Sequence, residues 1–319
     1  MELRDVERFL VLAEELHFRR AADRLFVTTG RVSQTVRTLE AEIGAPLFAR
    51  NSRRVRLTPL GERFRVEAER GFTQLRCALR EAQAEARGVV GELRVGHFRA
   101  IGAAFVARLA AAFEAQHPAH RLLTIPISRQ AAFRALRTEQ VDVLLLWCPG
   151  LDSVRGEGRR AGPVLASDPR AVLVSAGHPL AARTRISIEE VADHELLSLA
   201  IDGPRAFVEG WAPRYTPSGK PIRRAEKEMA TVLGREPYYL EDTLTVVARS
   251  RLAHLTISSV LDYHPYPGLV LVPVNDLPPM LMTLVWRADR ETAAISAFTT
   301  VAKHIAHTHW RTDRQDAAR

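Results

Sequence analysis

Apolar positions recur at i, i+3 and i+4 through the first forty-three residues, and the rhythm is interrupted twice. Leu3, Val6, Phe9, Leu10, Ala13 and Leu16 form one stripe, which predicts an amphipathic helix. Ala21, Ala22 and Leu25 continue it in a second, shorter helix, and the small pair lets two helices approach closely. After the tight segment Phe26-Val27-Thr28-Thr29, Val32, Val36, Leu39 and Ile43 recur at spacings of four, three and four. Thr28 or Thr29 can cap this third helix, because a hydroxyl accepts from the N–H groups left free at a helix start. Gly44 stops it. A long pattern begins at Thr58-Pro59, with proline at a first helical position where its missing N–H is not needed. Leu60, Phe64, Ala68, Phe72, Leu75, Leu79, Ala82 and Ala86 then recur at spacings of four or three until Gly88.

Beyond Gly91 the pattern changes to short apolar runs alternating with helical stretches. Leu93–Val95, Leu122–Ile127, Val141–Trp147, Ala171–Val174, Leu196–Leu199, Leu255–Ser258, Val270–Val274 and Met282–Trp286 read as strands. Ala103–Gln116, Ala131–Thr138, Glu241–Arg249 and Thr292–His307 read as helices. Alternation of this kind predicts an α/β region with parallel sheets. The polar, charged stretch from Arg311 to Arg319 is expected to be disordered.

Charge sharpens the picture of the first segment. Net charge is +8, and lysine occurs only at Lys220, Lys227 and Lys303, so a single arginine here marks little. Its distribution marks more. Residues 18–65 hold eleven arginines against Asp23, Glu40, Glu42 and Glu62, whereas residues 91–319 hold 28 basic against 24 acidic side chains. Positive charge gathers where phosphate binding would need it. The third helix presents Thr29, Arg31, Ser33, Gln34, Arg37 and Thr38 on its polar faces, side chains able to meet base edges or phosphates. A solvated helix face would look the same. The short preceding helix, the tight turn and the basic run Arg50–Arg56 favour a helix-turn-helix with a wing.

Residues 1–65 resemble the DNA-binding domain of LysR-type transcriptional regulators. The resemblance rests on Phe18-Arg19-Arg20-Ala21-Ala22-Asp23-Arg24-Leu25 and on Val32-Ser33-Gln34-Thr35-Val36-Arg37-Thr38-Leu39-Glu40. It continues in Gly44-Ala45-Pro46-Leu47-Phe48-Ala49-Arg50 and Leu57-Thr58-Pro59-Leu60-Gly61-Glu62. Two departures fall in the recognition helix. The family's usual Ser-Gln-Pro is Thr28-Thr29-Gly30 here, and its frequent Ser-Arg is Ser33-Gln34. The resemblance implies a winged helix-turn-helix over 1–57, a linker helix over 58–88, and an effector-binding domain over 89–319 with two lobes like a periplasmic binding protein. The expected partner is double-stranded DNA. Arg19, Thr28, Thr29, Gly30, Arg31, Ser33, Gln34, Arg37, Arg50, Arg53 and Arg54 are the expected contacts. Leu60, Phe64, Ala68, Phe72, Leu75 and Leu79 form a seam that suits either a partner helix or an intramolecular core. The family's habit favours a homodimer or homotetramer, with RNA polymerase a further partner if the protein is an activator.

In that architecture the chain crosses between lobes near Pro163–Ser167 and Gly268–Val272, giving lobe I 91–163 plus 272–319 and lobe II 164–270. A small-molecule effector would sit between the lobes, at the C-terminal ends of strands. His97, Phe98, Arg99, Ser128, Arg129, Trp147, Asp202 and Ser258 are the candidate contacts, with Arg99 and Arg129 suited to a carboxylate. Each is also an ordinary polar or apolar loop residue in an arginine-rich chain. No cofactor, catalytic constellation or metal site is expected. Cys77 and Cys148 lie far apart, and His304, His307 and His309 lack a Cys or carboxylate in ligand register. No apolar run reaches the ~20 residues of a membrane span, and the charged N-terminus lacks a signal-peptide core, so a cytoplasmic protein is expected. Two other readings stay open: a DNA-binding repressor without ligand, and a cytosolic solute-binding α/β protein with an accessory helical domain.

Overall fold

In the computed structural model, which describes residues 2–51, 54–86, 91–198, 201–225 and 240–316, the three N-terminal stripes close on one another. Helices α1 (Leu3–Glu15), α2 (Phe18–Leu25) and α3 (Thr29–Ile43) bury Phe9, Leu12, Ala21, Ala22, Val36 and Leu39. Phe9 is fully enclosed, edge-on to Phe48 and Phe64 at 5.5 and 5.0 Å between ring centroids. Helices α1 and α2 each end in a left-handed residue, Leu16 (φ 47°) and Phe26 (φ 53°), which reverses the chain within a few residues. Strands β1 (Phe48–Asn51) and β2 (Arg54–Leu57) pair antiparallel as the wing. Glu40 ties the base of the wing to α3, its carboxylate accepting from the amides of Leu47 (2.9 Å) and Phe48 (3.1 Å).

Helix α4 (Pro59–Ala86) starts under the same wing. Thr58 accepts from the Gly61 amide and donates to the Pro46 carbonyl, both at 2.9 Å. A Cβ on Gly61 would lie 2.1 Å from the Leu47 carbonyl oxygen, so only glycine lets the helix come this close. We expect Gly61→Ala to destabilise this unit by about 1–3 kcal/mol, the usual cost of overpacking. Urea unfolding checks this, and an unchanged midpoint would show that the backbone gives way freely. Leu60 and Phe64, expected on the dimer seam, instead pack into the core formed by α1–α3. The first turns of α4 therefore complete the helix-turn-helix unit. Ala68 and Phe72 are half-buried, while Leu75 and Leu79 are each 53 % exposed.

The chain divides at Arg87/Gly88 into two units. The second begins with β3 (Gly91–His97), α5 (Ala103–Gln116), β4 (His120–Pro126), α6 (Ala132–Arg137), β5 (Val143–Cys148), β6 (Arg159–Ala161) and β7 (Ala166–Asp168). It continues with β8 (Arg170–Ser175), α7 (Ile188–Val191), β9 (Leu196–Leu197), α8 (Arg205–Trp211) and β10 (Arg224–Ala225). The last elements are α9 (Leu240–Arg249), β11 (His254–Ile257), α10 (Val260–Tyr263), β12 (Leu269–Pro273), β13 (Met280–Arg287) and α11 (Ala293–Asp316). Lobe I is built on a sheet of order β4-β3-β5-β13-β6, with β7 also pairing with β13. Every residue of β5 is buried, because this central strand is covered on both faces, so its sequence is one apolar run. Lobe II is built on β11-β8-β12, beside the short pair β9–β10. Along β8 the faces alternate: Val172 and Val174 pack with Ile186, Ile188 and Val191, and Leu173 packs with Leu244 and Val247 on the other side.

Four expectations need correction. Parallel pairing holds for β3, β4 and β5, but β13 runs antiparallel and the β11-β8-β12 sheet is wholly antiparallel. The first crossing lies at Pro169 rather than Pro163–Ser167, because Ala166–Asp168 still pair with β13. The second lies at residues 275–279 rather than Gly268–Val272, because Val270 and Val272 pair with β8. An apolar strand pattern reads alike in either sheet. Pro278-Pro279, which lack N–H donors, fall where pairing is interrupted. Helix α11 runs to Asp316, so the segment from Arg311 is helical almost to its end; nothing in it breaks a helix, as it holds neither Gly nor Pro.

Candidate nucleic-acid interface and ligand pocket

Thr28 caps α3 by accepting from the Arg31 amide at 3.2 Å. Beyond the cap, Thr29, Gly30, Arg31, Gln34, Arg37 and Thr38 are exposed and Ser33 is half-buried. Thr35 faces inward and accepts from Arg8 at 3.4 Å. The arginines around this helix fall into two groups. Arg24 is held by Glu14 (2.7 Å) and Glu15 (2.9 Å), and Arg20 pairs with Glu15, so their charge is locally neutralised. Arg19, Arg31 and Arg37 are exposed and make no ion pair among the described residues. Free cationic donors thus lie at the start of α2 and along the outer face of α3. In the wing, Arg50 and Arg54 belong to β1 and β2, but their side chains, and Arg53 altogether, lie outside the described residues.

In the second unit, α8 leaves the lobe II stretch of sequence and packs onto lobe I, with Phe207 against Phe133 at 5.0 Å and Trp211 donating its indole N–H to the Trp147 carbonyl at 3.1 Å. This brings Trp211 and Ala212 opposite β9, β10 and β11, and a pocket opens there with about 270 Å³ of empty space, mouth included. Arg129, Arg224 and His254 supply its polar groups, while Leu197, Ile201 and Leu255 supply apolar wall. The Arg129 guanidinium lies over the Trp211 ring at 5.1 Å. It is open to the pocket, yet surrounded by enough protein that desolvation pushes its pKa down to about 10. Behind the wall Arg170 is buried, donating to the carbonyls of Gly210 (2.9 Å), Trp211 (3.1 Å) and Thr256 (3.3 Å). Its pKa is also pushed down to about 10, by burial and then by Arg129. Burial, Arg129, Arg224 and Arg170 together hold His254 well below the usual histidine range.

Of the effector candidates read from sequence, Arg129 lines the pocket. Arg99 does not; it is exposed and pairs with Glu241 at 3.5 Å. Phe98 and Trp147 are core residues of lobe I. Asp202 accepts from the Arg134 amide at 2.7 Å, and Ser258 donates to the Pro169 carbonyl at 3.1 Å. His97, Ser128 and Trp147 share one trait: each has a buried polar atom with no hydrogen-bond partner among the described residues, at the C-terminal edge of β3, β4 or β5. His254 Nε2 is a fourth. Sequence reasoning missed Trp211, Arg224 and His254. His304 and His307 are exposed on α11, the side chain of His309 lies outside the described residues, and among the described residues no group of acids, histidines and cysteines could hold a metal.

A winged helix-turn-helix followed by a two-lobed α/β unit with a basic pocket defines the class. Residues 3–62 match the model of the bacterial regulatory helix-turn-helix proteins of the lysR family, and residues 86–226 match that of the LysR substrate binding domain. The chain belongs to the LysR family. It is 29 % identical over 201 residues to the HTH-type transcriptional regulator AlsR of Bacillus subtilis (strain 168), covering 63 % of this chain and 65 % of that protein. It is 31 % identical over 196 residues to the regulator BudR of Raoultella terrigena, covering 60 % and 66 %. The chain thus spans just under two thirds of the length of these curated relatives. Over 96 residues it is 42 % identical to BudR of Klebsiella aerogenes, covering 30 % of this chain and 67 % of that sequence. The fold is shared with the LysR family regulator CbnR, at 19 % identity, TM-score 0.56, and coverage of 96 % and 99 %.

Proposed function

We propose that this protein is a sequence-specific DNA-binding transcriptional regulator whose α3 enters a major groove and whose inter-lobe pocket takes a small-molecule effector. The observation that carries the reading is the outer face of α3, where Arg31, Gln34 and Arg37 are exposed on a capped, well-packed helix. Family membership and the regulators among its relatives support it. Ser33, Gln34 and Arg37 read or orient bases; Arg19, Arg31 and the wing residues Arg50, Arg53 and Arg54 hold the backbone; and Thr28, Thr29 and Gly30 set the approach of the helix start. Two or four copies pair through the exposed part of α4, where Leu75 and Leu79 await a partner, and pairing multiplies weak single-site contacts. The protein acts on DNA in the cytoplasm, and as an activator it would meet RNA polymerase. No helix of the described residues is long and apolar enough to cross a membrane.

Selection from random duplexes at moderate salt tests the reading. Enrichment of one motif is expected, and recovery of no preferred sequence would overturn it. On the selected site, Arg19→Ala should weaken all sequences alike and lower the slope of log affinity against log salt by about one, as the loss of one phosphate contact requires. A changed base preference would instead move Arg19 into the group that reads sequence.

A further inference from the structure

We infer that Gln34 reads an adenine in the target site, and that the bare backbone at Gly30 is what lets Gln34 reach it. This rests on reading α3 as the DNA-facing helix. Gly30, Gln34, Arg37 and Ala41 follow one another at spacings of four, three and four, and all are exposed. They form the ridge of α3 that points away from the buried Val32, Val36 and Leu39. The ridge carries no carboxylate to repel DNA. Its ends are the small residues Gly30 and Ala41, so Gln34 and Arg37 are the side chains that stand out from it.

The fold does not ask for glycine at position 30. A Cβ there would meet only Thr28 Oγ1, at 3.8 Å, an ordinary contact, and the residue lies inside α3 with no positive φ. Gly44 and Gly61 differ. The first ends α3 with a φ of 81°, and the second has the Leu47 carbonyl oxygen 2.1 Å from where its Cβ would be. Glycine also weakens a helix relative to alanine. A position that the free protein would hold better as alanine is explained by what comes up against it. Side chains in a helix lean toward its N-terminus, so Gln34 extends over the turn that carries Gly30. With no Cβ beneath it, the Gln34 side chain can lie close to the backbone while the start of the helix descends into a groove. Its amide offers a donor and an acceptor together, the pattern of the adenine edge in the major groove. That side-chain amide has no partner among the described residues. The neighbours do not match adenine as well: Arg31 and Arg37 have donors alone, and Ser33 is half-buried. The Thr38 hydroxyl is spent on the Gln34 carbonyl, at 3.1 Å.

Selection from random duplexes with the full chain, repeated on Gln34→Ala, Gln34→Arg and Gly30→Ala, tests the inference. The wild-type motif should contain an adenine whose selection depends on Gln34. Gln34→Ala should lose preference at that position alone, by about 5- to 150-fold in the affinity ratio of matched and substituted duplexes. Gln34→Arg should move the preference there to guanine. Gly30→Ala should keep or raise the thermal midpoint, because alanine is the better helix former, yet bind the selected duplex at least about fivefold more weakly. A glycine needed by the fold would give the opposite order. Both residues are exposed, so the variants should fold, and circular dichroism checks that. Three results would each overturn the inference: a motif that Gln34→Ala leaves unchanged, a Gln34-dependent position that prefers another base, or a Gly30→Ala chain that binds as tightly as wild type. A wild-type chain that selects no motif overturns the reading of α3 beneath it, so the two failures are distinguishable.

Discussion

Replacing Gln34 and Arg37 together by alanine is expected to abolish selective DNA binding, lowering affinity for the preferred site by about 30- to 10⁴-fold. Each well-placed base contact carries roughly 1–3 kcal/mol of discrimination, and two independent ones nearly add. Both side chains are exposed on α3, and the core side of that helix is held by Val32, Val36 and Leu39, which the change does not touch. Alanine is the better helix former at both places, so the helix should survive or gain slightly. Circular dichroism should therefore be unchanged while anisotropy titrations on the selected duplex lose affinity. A scrambled duplex should lose far less, from Arg37's charge alone. If the two duplexes instead weaken by the same small factor, α3 grips backbone and the bases are read elsewhere.

The first unit was legible because each of its stripes does two jobs close together in sequence. The residues that set the helical rhythm, Phe9, Val32, Val36 and Leu39 among them, are the residues that meet in its core. The same periodicity misled at α4. Leu60 and Phe64 continue a seam without interruption, yet they pack on α1, because a long helix can give its first turns to one neighbour and its later ones to another. Only burial separates them from Leu75 and Leu79. The pocket was much less legible. Arg99 and Arg129 both follow a strand, and nothing local distinguishes the one that pairs with Glu241 from the one that faces Trp211. Trp211 reaches the pocket only because α8 crosses back to lobe I, and Arg224 only through a strand of two residues. His254 did leave a trace: an ionisable residue opening the buried strand His254–Ile257, in a place where a buried polar group calls for a partner.

That histidine also makes the free protein sensitive to mild acid. His254 is buried and its folded-state pKa is held well below the ordinary value, first by desolvation and then by Arg129, Arg224 and Arg170. The unfolded chain titrates near 6.5. As pH falls through that value the unfolded state binds a proton that the folded state refuses, so stability is full above about 6.5 and declines below it, by up to about 1.4 kcal/mol per pH unit. His97 and His178, both lowered chiefly by burial, act in the same direction. Asp168 acts in the opposite sense, since burial raises its pKa above 3.8, but its window lies lower. Denaturant midpoints of the second unit should therefore fall between about pH 7.5 and 5.5. His254→Gln, which keeps a neutral polar side chain there, should remove about one proton from the linkage and flatten the curve accordingly. A flat wild-type curve over this range, or an unchanged slope in the variant, would mean that the pocket already accommodates a charged imidazolium. The three surrounding guanidiniums make that costly unless an anion is bound beside them.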